Sequence, residues 1–216
     1  QYLPNRMAYA YARAQMWTAA HRSDCILTVS DASKRDILHL FNIPPEKIVV
    51  VYNAIDAHFS VTPPSDAVAR VRERYQLDHR FVLYVGNIKP HKNLERLIEA
   101  FHLMRHEDPN LKEVQLLMIG DEISKYATPR RAVHRHKLHK PVRFFGFLSD
   151  QTLAALYRLA DVFVFPSLYE GFGLPPLEAM ACAAPVITSD VSSLPEVVGK
   201  AGLTHAPNDA RALTEA

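Results

Sequence analysis

Two carboxylates, Glu170 and Glu178, flank the string Gly-Phe-Gly-Leu-Pro-Pro-Leu at residues 171–177. A carboxylate offers two acceptor oxygens and so pairs naturally with vicinal hydroxyls. The run just ahead, Ala-Asp-Val-Phe-Val-Phe at 160–165, is short, β-branched and aromatic and stops at Pro166, the pattern of a buried strand in a parallel sheet. Pro175 and Pro176 can open a helix, because the first helical residues need no amide donor. The amides of Gly171, Phe172, Gly173 and Leu174 then surround the positive end of the helix dipole, which makes an anion cradle. Glu170, in the loop, can meet a neutral polyol; Glu178, expected in the first helical turn, can meet a second set of hydroxyls. A first-turn glutamate equally complements a dipole or closes a capping box, so residue types alone leave both readings open.

A second constellation, Gly86-Asn87-Ile88-Lys89-Pro90-His91-Lys92-Asn93, follows the strand-like run 81–85 and precedes a helical pattern from Leu94. The helix dipole disfavours cations at an N-terminus. A bound anion resolves that local conflict, while a solvated loop lysine is the plain alternative.

The elements that must position these residues can be read from periodicity. Met7 to Ala20 has a helical pattern, Cys25 to Val29 and Ile48 to Val51 read as strands, and Ser30 opens a capped helix. Residues 53–64, ending in Thr62-Pro63-Pro64, are polar and proline-punctuated, which marks a linker. Beyond it, strand-like runs at 81–85, 114–119, 142–145, 162–165 and 186–188 alternate with helical ones at 94–104, 150–159 and 177–184, and Pro207-Asn208-Asp209-Ala210 caps a last helix. Such alternation predicts an α/β fold, a Rossmann-like parallel sheet with helices on both faces. Ligands in such sheets bind outside the carboxyl ends of the strands, where both charged loops fall.

Glu170 and Glu178 with their intervening string, followed by Ala-Met-Ala-Cys and Pro185-Val186-Ile187-Thr188, closely resemble the donor-sugar signature of retaining glycosyltransferases of family four, which have the GT-B fold. The resemblance implies that Glu170 contacts the transferred sugar, that the amides of Gly171, Phe172, Gly173 and Leu174 contact sugar and diphosphate, and that Glu178 holds the ribose. Gly86 and the pair Lys92-Asn93 match the family's other loop, in which Lys92 neutralises the diphosphate. Asn87 stands where the family often has arginine, and Lys89 or His91 is expected to supply the missing charge. Lys92 and Glu170 are thus the expected catalytic pair. Ala183-Ala184 stands where a glycine-threonine is common.

Thr28-Val29-Ser30, Ser33 to Asp36, Pro45 to Ile48 and Val51 to Asp56 are similar to the closing elements of that family's N-terminal domain. The resemblance therefore divides the chain into the end of an acceptor domain (1–52), a linker (53–64) and a nucleotide-sugar-binding C-terminal domain (65–216) truncated at its end, the C-terminal half of a GT-B fold. The absent initiator methionine agrees with a piece of something longer, inactive alone. The implied reaction is transfer of a hexose, mannose ahead of glucose, from GDP-mannose or a UDP-sugar to a glycan or lipid-linked acceptor, with no cofactor and no metal. A sugar-nucleotide epimerase and a silent nucleotide-binding module are the alternatives.

Composition agrees with a soluble globular chain: 216 residues, 48% hydrophobic, net charge +2, with no apolar run near the roughly 18 residues of a membrane span and no signal-peptide layout. A cytoplasmic protein is expected, without nucleic-acid binding. Cys25 and Cys182 are expected as buried reduced thiols. The stretch from Arg130 to Arg143 carries His134, His136 and His139 among arginines and lysines and no acid. A solvated face is expected there, with peripheral contact to an anionic inner membrane face as the second reading. Phe147 and Leu148, after the strand 142–145, are candidates to line a nucleobase, with core packing as the alternative. No Gly-x-Gly-x-x-Gly, Walker or Gly-x-Ser-x-Gly motif is present, which sets aside dehydrogenase, phosphate-loop nucleotidase and serine hydrolase.

Overall fold

The computed structural model describes residues 5–60, 64–120 and 126–215. The chain divides into two compact units, Gln1–Asn53 and Ala54–Ala216.

The first unit consists of α1 (Arg6–Arg22), β1 (Ile26–Thr28), α2 (Asp31–Phe41) and β2 (Ile48–Val50). β1 and β2 pair in parallel, Ile26 opposite Ile48, over a small core of Ala20, Phe41, Ile43 and Ile48. Ser30 caps α2 by accepting from the Ser33 amide at 3.0 Å, and Asn42 ends it in the left-handed conformation, φ 49°, which asparagine tolerates. Cys25 is exposed, contrary to the expected buried thiol, because the strand begins only at Ile26.

The second unit begins with α3 (Ala57–Ser60) and α4 (Ser65–Arg74). α3 lies inside the expected linker, and its Phe59 is buried at 4% exposure. There follow β3 (Phe81–Gly86), α5 (Leu94–Glu107), β4 (Gln115–Gly120), α6 (Ala127–Arg135), β5 (Val142–Phe145), α7 (Asp150–Leu159), β6 (Val162–Phe165), α8 (Leu174–Ala181), β7 (Val186–Ser189), α9 (Leu194–Val198), β8 (Leu203–His205) and α10 (Ala210–Glu215). The six strands form one parallel sheet in the order β5-β4-β3-β6-β7-β8.

That order reverses direction between β3 and β6. The first strand of the sheet runs outward to β4 and β5; the fourth starts again on its other side and runs to β7 and β8. Such a reversal splays the two outgoing connections to opposite faces and opens a crevice at the strands' carboxyl ends. The loops after β3 and β6, the two that carry the charged residues, flank this point.

The central strands are apolar throughout because both faces are covered. Leu83, Tyr84, Leu116, Leu117, Phe163 and Phe165 are each at most 1% exposed, and burying such a side chain contributes about 1.5–3 kcal/mol. Cys182 is buried at the end of α8, as expected, its thiol donating to the Phe59 carbonyl at 3.3 Å.

The basic stretch is less uniform than its composition suggests. Its helix ends at Arg135, so His136 and His139 do not share a helical face; instead His136 lies 4.5 Å from the His102 ring and His139 lies 5.5 Å from His134, centroid to centroid. Arg143 is half-buried and donates to the carbonyls of Tyr75 and Gln76 at 2.6 and 3.1 Å, tying β5 to the segment after α4.

Candidate functional site

After β3 the chain turns through Gly86, whose φ of 154° and lack of side-chain space require glycine: a Cβ would sit 2.7 Å from the Tyr84 hydroxyl. That hydroxyl donates to the Asn87 carbonyl at 3.0 Å. Ile88 is buried and anchors the loop. A short 3-10 turn, Pro90–Lys92, then places Lys92, and Asn93 enters α5 at φ 57°, its side-chain amide donating to the Pro207 carbonyl at 2.7 Å. The glycine and the asparagine of this motif therefore each have a conformational task.

On the other side, the Gly-Phe-Gly turn delivers Glu170 and then α8. Gly173 has φ 115°, and a Cβ would lie 2.9 Å from Leu194 Cδ2, so only glycine lets the turn pass this close to α9. The segment ahead of α9 holds the turn in place: the Glu170 amide donates to Ser192 Oγ at 2.8 Å, and the buried Ser193 hydroxyl reaches the carbonyls of Glu170 and Phe172 at 3.0 and 2.6 Å. Ser192 itself takes φ 53°, a strained conformation for a residue with a side chain.

The two loops meet. The Leu168 amide donates to the His91 carbonyl at 2.7 Å, and Lys92 Nζ donates to Glu170 Oε1 at 2.6 Å. The paired side chains are only 11% and 14% exposed. Lys92 also lies over the Phe165 ring, 4.7 Å from its centroid, a cation–π contact. Removing an ion pair from water costs about what the attraction returns, so fold stability alone gives little reason for this pair. An ammonium has three donors, and Glu170 takes one of them.

α8 starts at Leu174, with its prolines in the first helical positions as expected. The earlier start corrects the position expected for Glu178, which falls in the second turn, beyond the reach of a cap. Instead its Oε2 accepts from the Tyr157 hydroxyl at 3.1 Å. Burial pushes the Glu178 carboxyl above the ordinary glutamate range, against the pull of Tyr157. A dipole-complementing glutamate would be pulled the other way, so the capping explanation does not describe this residue.

The remaining candidates sit around this centre. Asn87 and Lys89 are exposed, and Lys89 lines a separate cleft of about 280 Å³ with Ile88, Leu94, Tyr126 and Pro129. Phe147 is 90% exposed, which removes core packing as its explanation; Leu148 packs against the core. An apolar cleft of about 440 Å³, lined by Phe101, Val164, Ile187 and Leu213 among others, contains none of the predicted site residues. Tyr157, Ser192 and Ser193 were not among the predicted site residues. Tyr157 has no local signal, since only the packing of α7 on α8 joins it to Glu178.

Comparison with known proteins supplies an independent line. The model for glycosyl transferases group 1 matches residues 67–216, and that for glycosyltransferase family 4 matches residues 1–59. The chain is 37% identical over 205 residues to O-antigen chain mannosyltransferase B of Escherichia coli, covering 94% of this chain and 53% of that protein. It is 34% identical over 192 residues to the serotype-specific mannosyltransferase WbdA of E. coli, covering 87% and 23%. The chain thus spans about half, or less, of the length of these relatives. Among solved structures, Anabaena HepE in complex with UDP and glucose superposes with a TM-score of 0.82 at 21% identity, covering 98% of this chain and 56% of that one. WaaG, a glycosyltransferase involved in lipopolysaccharide biosynthesis, gives 0.78 at 20%, covering 98% and 59%. These likenesses bear on the fold and agree with a GT-B architecture. On the extent of the family match and the sequence identity, the chain belongs to the group 1 glycosyltransferases, with a family 4 segment at its front.

Proposed function

We propose that the protein moves a hexose, mannose, from GDP-mannose to a glycan or lipid-linked acceptor with retention of configuration, and that this chain supplies the donor site. The observation that carries the reading is the Lys92–Glu170 pair at the sheet's switch point, beside the N-terminus of α8. As the bond from the anomeric carbon to phosphate breaks, negative charge grows on the diphosphate. Lys92 and the amides of the turn leading into α8 stabilise it without reorganising, the prolines at the second and third helical positions carrying no N–H, which leaves no step that needs a metal. Glu170 is at once anchored to Lys92 and set to orient the sugar, while Glu178 takes the ribose hydroxyls. The exposed Phe147 is assigned to the nucleobase, with Leu148 behind it.

The names of the E. coli relatives support mannose; guanosine is our pairing for it, with a UDP-sugar as the second choice. The isolated chain is expected to bind donor and to transfer nothing, because transfer needs an acceptor half closing over the donor. No helix among the described residues is long and apolar enough to cross a membrane. A cytoplasmic protein touching the inner membrane face fits this reading, through the cleft of Arg130, Arg131, His134 and His139.

Calorimetric titration with GDP-mannose, UDP-glucose and ADP-glucose tests the reading. Binding of GDP-mannose in preference to the others is expected. Failure of every nucleoside diphosphate sugar to bind would overturn it.

A further inference from the structure

Tyr157, on α7, is fully buried. Its ring makes edge contacts with Phe59 and Phe163, centroids 6.1 and 5.3 Å away, and a phenylalanine would fill the same space. The hydroxyl is therefore the part that packing does not explain. A buried hydroxyl without a partner is costly, and this one donates to Glu178 Oε2 at 3.1 Å. Burial, followed by the neighbouring Glu178, holds the phenol well above its ordinary range, so it remains a donor at any physiological pH.

From this geometry we infer that Tyr157 is a positioning residue for the donor: its hydroxyl takes Oε2 of Glu178, fixes the rotation of the carboxylate, and leaves Oε1 to receive the ribose diol. The inference rests on the ribose role proposed for Glu178. Among the described residues Tyr157 is the hydrogen-bonding partner of that carboxylate. The other ionisable groups that act on Glu178 or its partner, Asp150 at the start of α7 and Cys182 at the end of α8, both oppose the ionised form of the group they act on or favour protonated Tyr157. Among the described residues, it is Tyr157 that holds the ionised carboxylate in a defined orientation. Nothing in this role brings Tyr157 into contact with the sugar or the phosphates.

The test is calorimetric titration of GDP, UDP and their 2′,3′-dideoxy analogues against the parent, Tyr157→Phe, Glu178→Gln and the double variant, with melting curves alongside. Tyr157→Phe should weaken the ribonucleotide by roughly 3- to 10-fold, the span of one hydrogen bond, and leave the dideoxy analogue unchanged. The double variant should bind like Glu178→Gln, since two residues acting as a unit are not additive. A merely structural tyrosine would shift the melting temperature and weaken both ligands alike. If Glu178→Gln discriminates between the sugars and Tyr157→Phe does not, the inference about Tyr157 is wrong and the ribose site stands. If neither variant discriminates, the ribose site itself is wrong and the inference goes with it.

Discussion

Lys92 Nζ and Glu170 Oε1 are 2.6 Å apart although their residues are separated by 78 positions in the chain. They meet because β3 and β6 are neighbours at the point where the sheet's winding reverses, so the loops leaving both strands converge. Fold topology, and no local preference, makes this pair.

Its energetics can be measured apart from its function. Replacing one member leaves the other charge buried and uncompensated, which costs about 3–5 kcal/mol. Lys92→Met and Glu170→Gln should therefore each lower stability to denaturant, and the double variant should recover most of either loss. A double variant whose loss equals the sum of the two singles would show that the charges do not interact in solution.

Glu170→Gln should leave affinity for the nucleoside diphosphate unchanged or tighten it, because Lys92 then has no carboxylate competing with phosphate. In a complete two-domain enzyme the same change should lower turnover, since the partner proposed for Glu170 is the sugar being transferred. Comparing diphosphate affinity with turnover separates the two effects; a large loss of diphosphate affinity would place Glu170 on the phosphates.

For Glu178 the sign follows from its raised pKa. A carboxyl held above its unfolded value contributes stability that is full below the unfolded pKa and is lost as pH rises through the folded pKa. At neutral pH the ionised group is thus an unfavourable one in the empty protein. Glu178→Gln should melt at the parent temperature or higher, and yet bind GDP more weakly by about 1–3 kcal/mol, as expected for hydrogen bonds to a charged group. A lowered melting temperature with parental affinity would return Glu178 to a role in its helix.

Ala183 follows α8 at φ 61°, a left-handed position that costs a side-chain-bearing residue about 1–2 kcal/mol and that glycine occupies freely. The similar family commonly has glycine there. Ala183→Gly should stabilise the protein by about 1 kcal/mol, a rise of roughly 2–4 °C in melting temperature for a chain of this size, with donor binding unchanged. Differential scanning calorimetry reads both sign and size.

The sheet was legible because its strands are buried on both faces and so read as unbroken apolar runs, Phe81 to Val85 being the plainest. α4 was not, since its Ser-Asp-Ala-Val-Ala-Arg-Val-Arg-Glu-Arg sequence has Val68 and Val71 as its large apolar residues, too few to show a period. α9 and β8 escaped because five and three residues are too short to show a period. At the crevice, motif spacing and the family resemblance were enough to single out Lys92, Glu170 and Glu178 as candidates, and the fold brings Lys92 and Glu170 together. The prolines were expected to open the helix, but Leu174 already belongs to it, which moves Glu178 from the first turn into the second. Ser193 and Tyr157 act through contacts between elements, and only the folded chain brings them to the loop and to the carboxylate.

The most direct test of the donor site is a pair of titrations, GDP and guanosine, against the parent and Lys92→Ala, with a denaturation curve confirming that the variant is folded. An ion pair with phosphate predicts that Lys92→Ala weakens GDP by at least tenfold, consistent with about 1.5–3 kcal/mol for a charge-assisted bond, and leaves guanosine nearly untouched. Equal weakening of both ligands by a folded variant would contradict the phosphate role of Lys92 and, with it, the assignment of this crevice as the donor site.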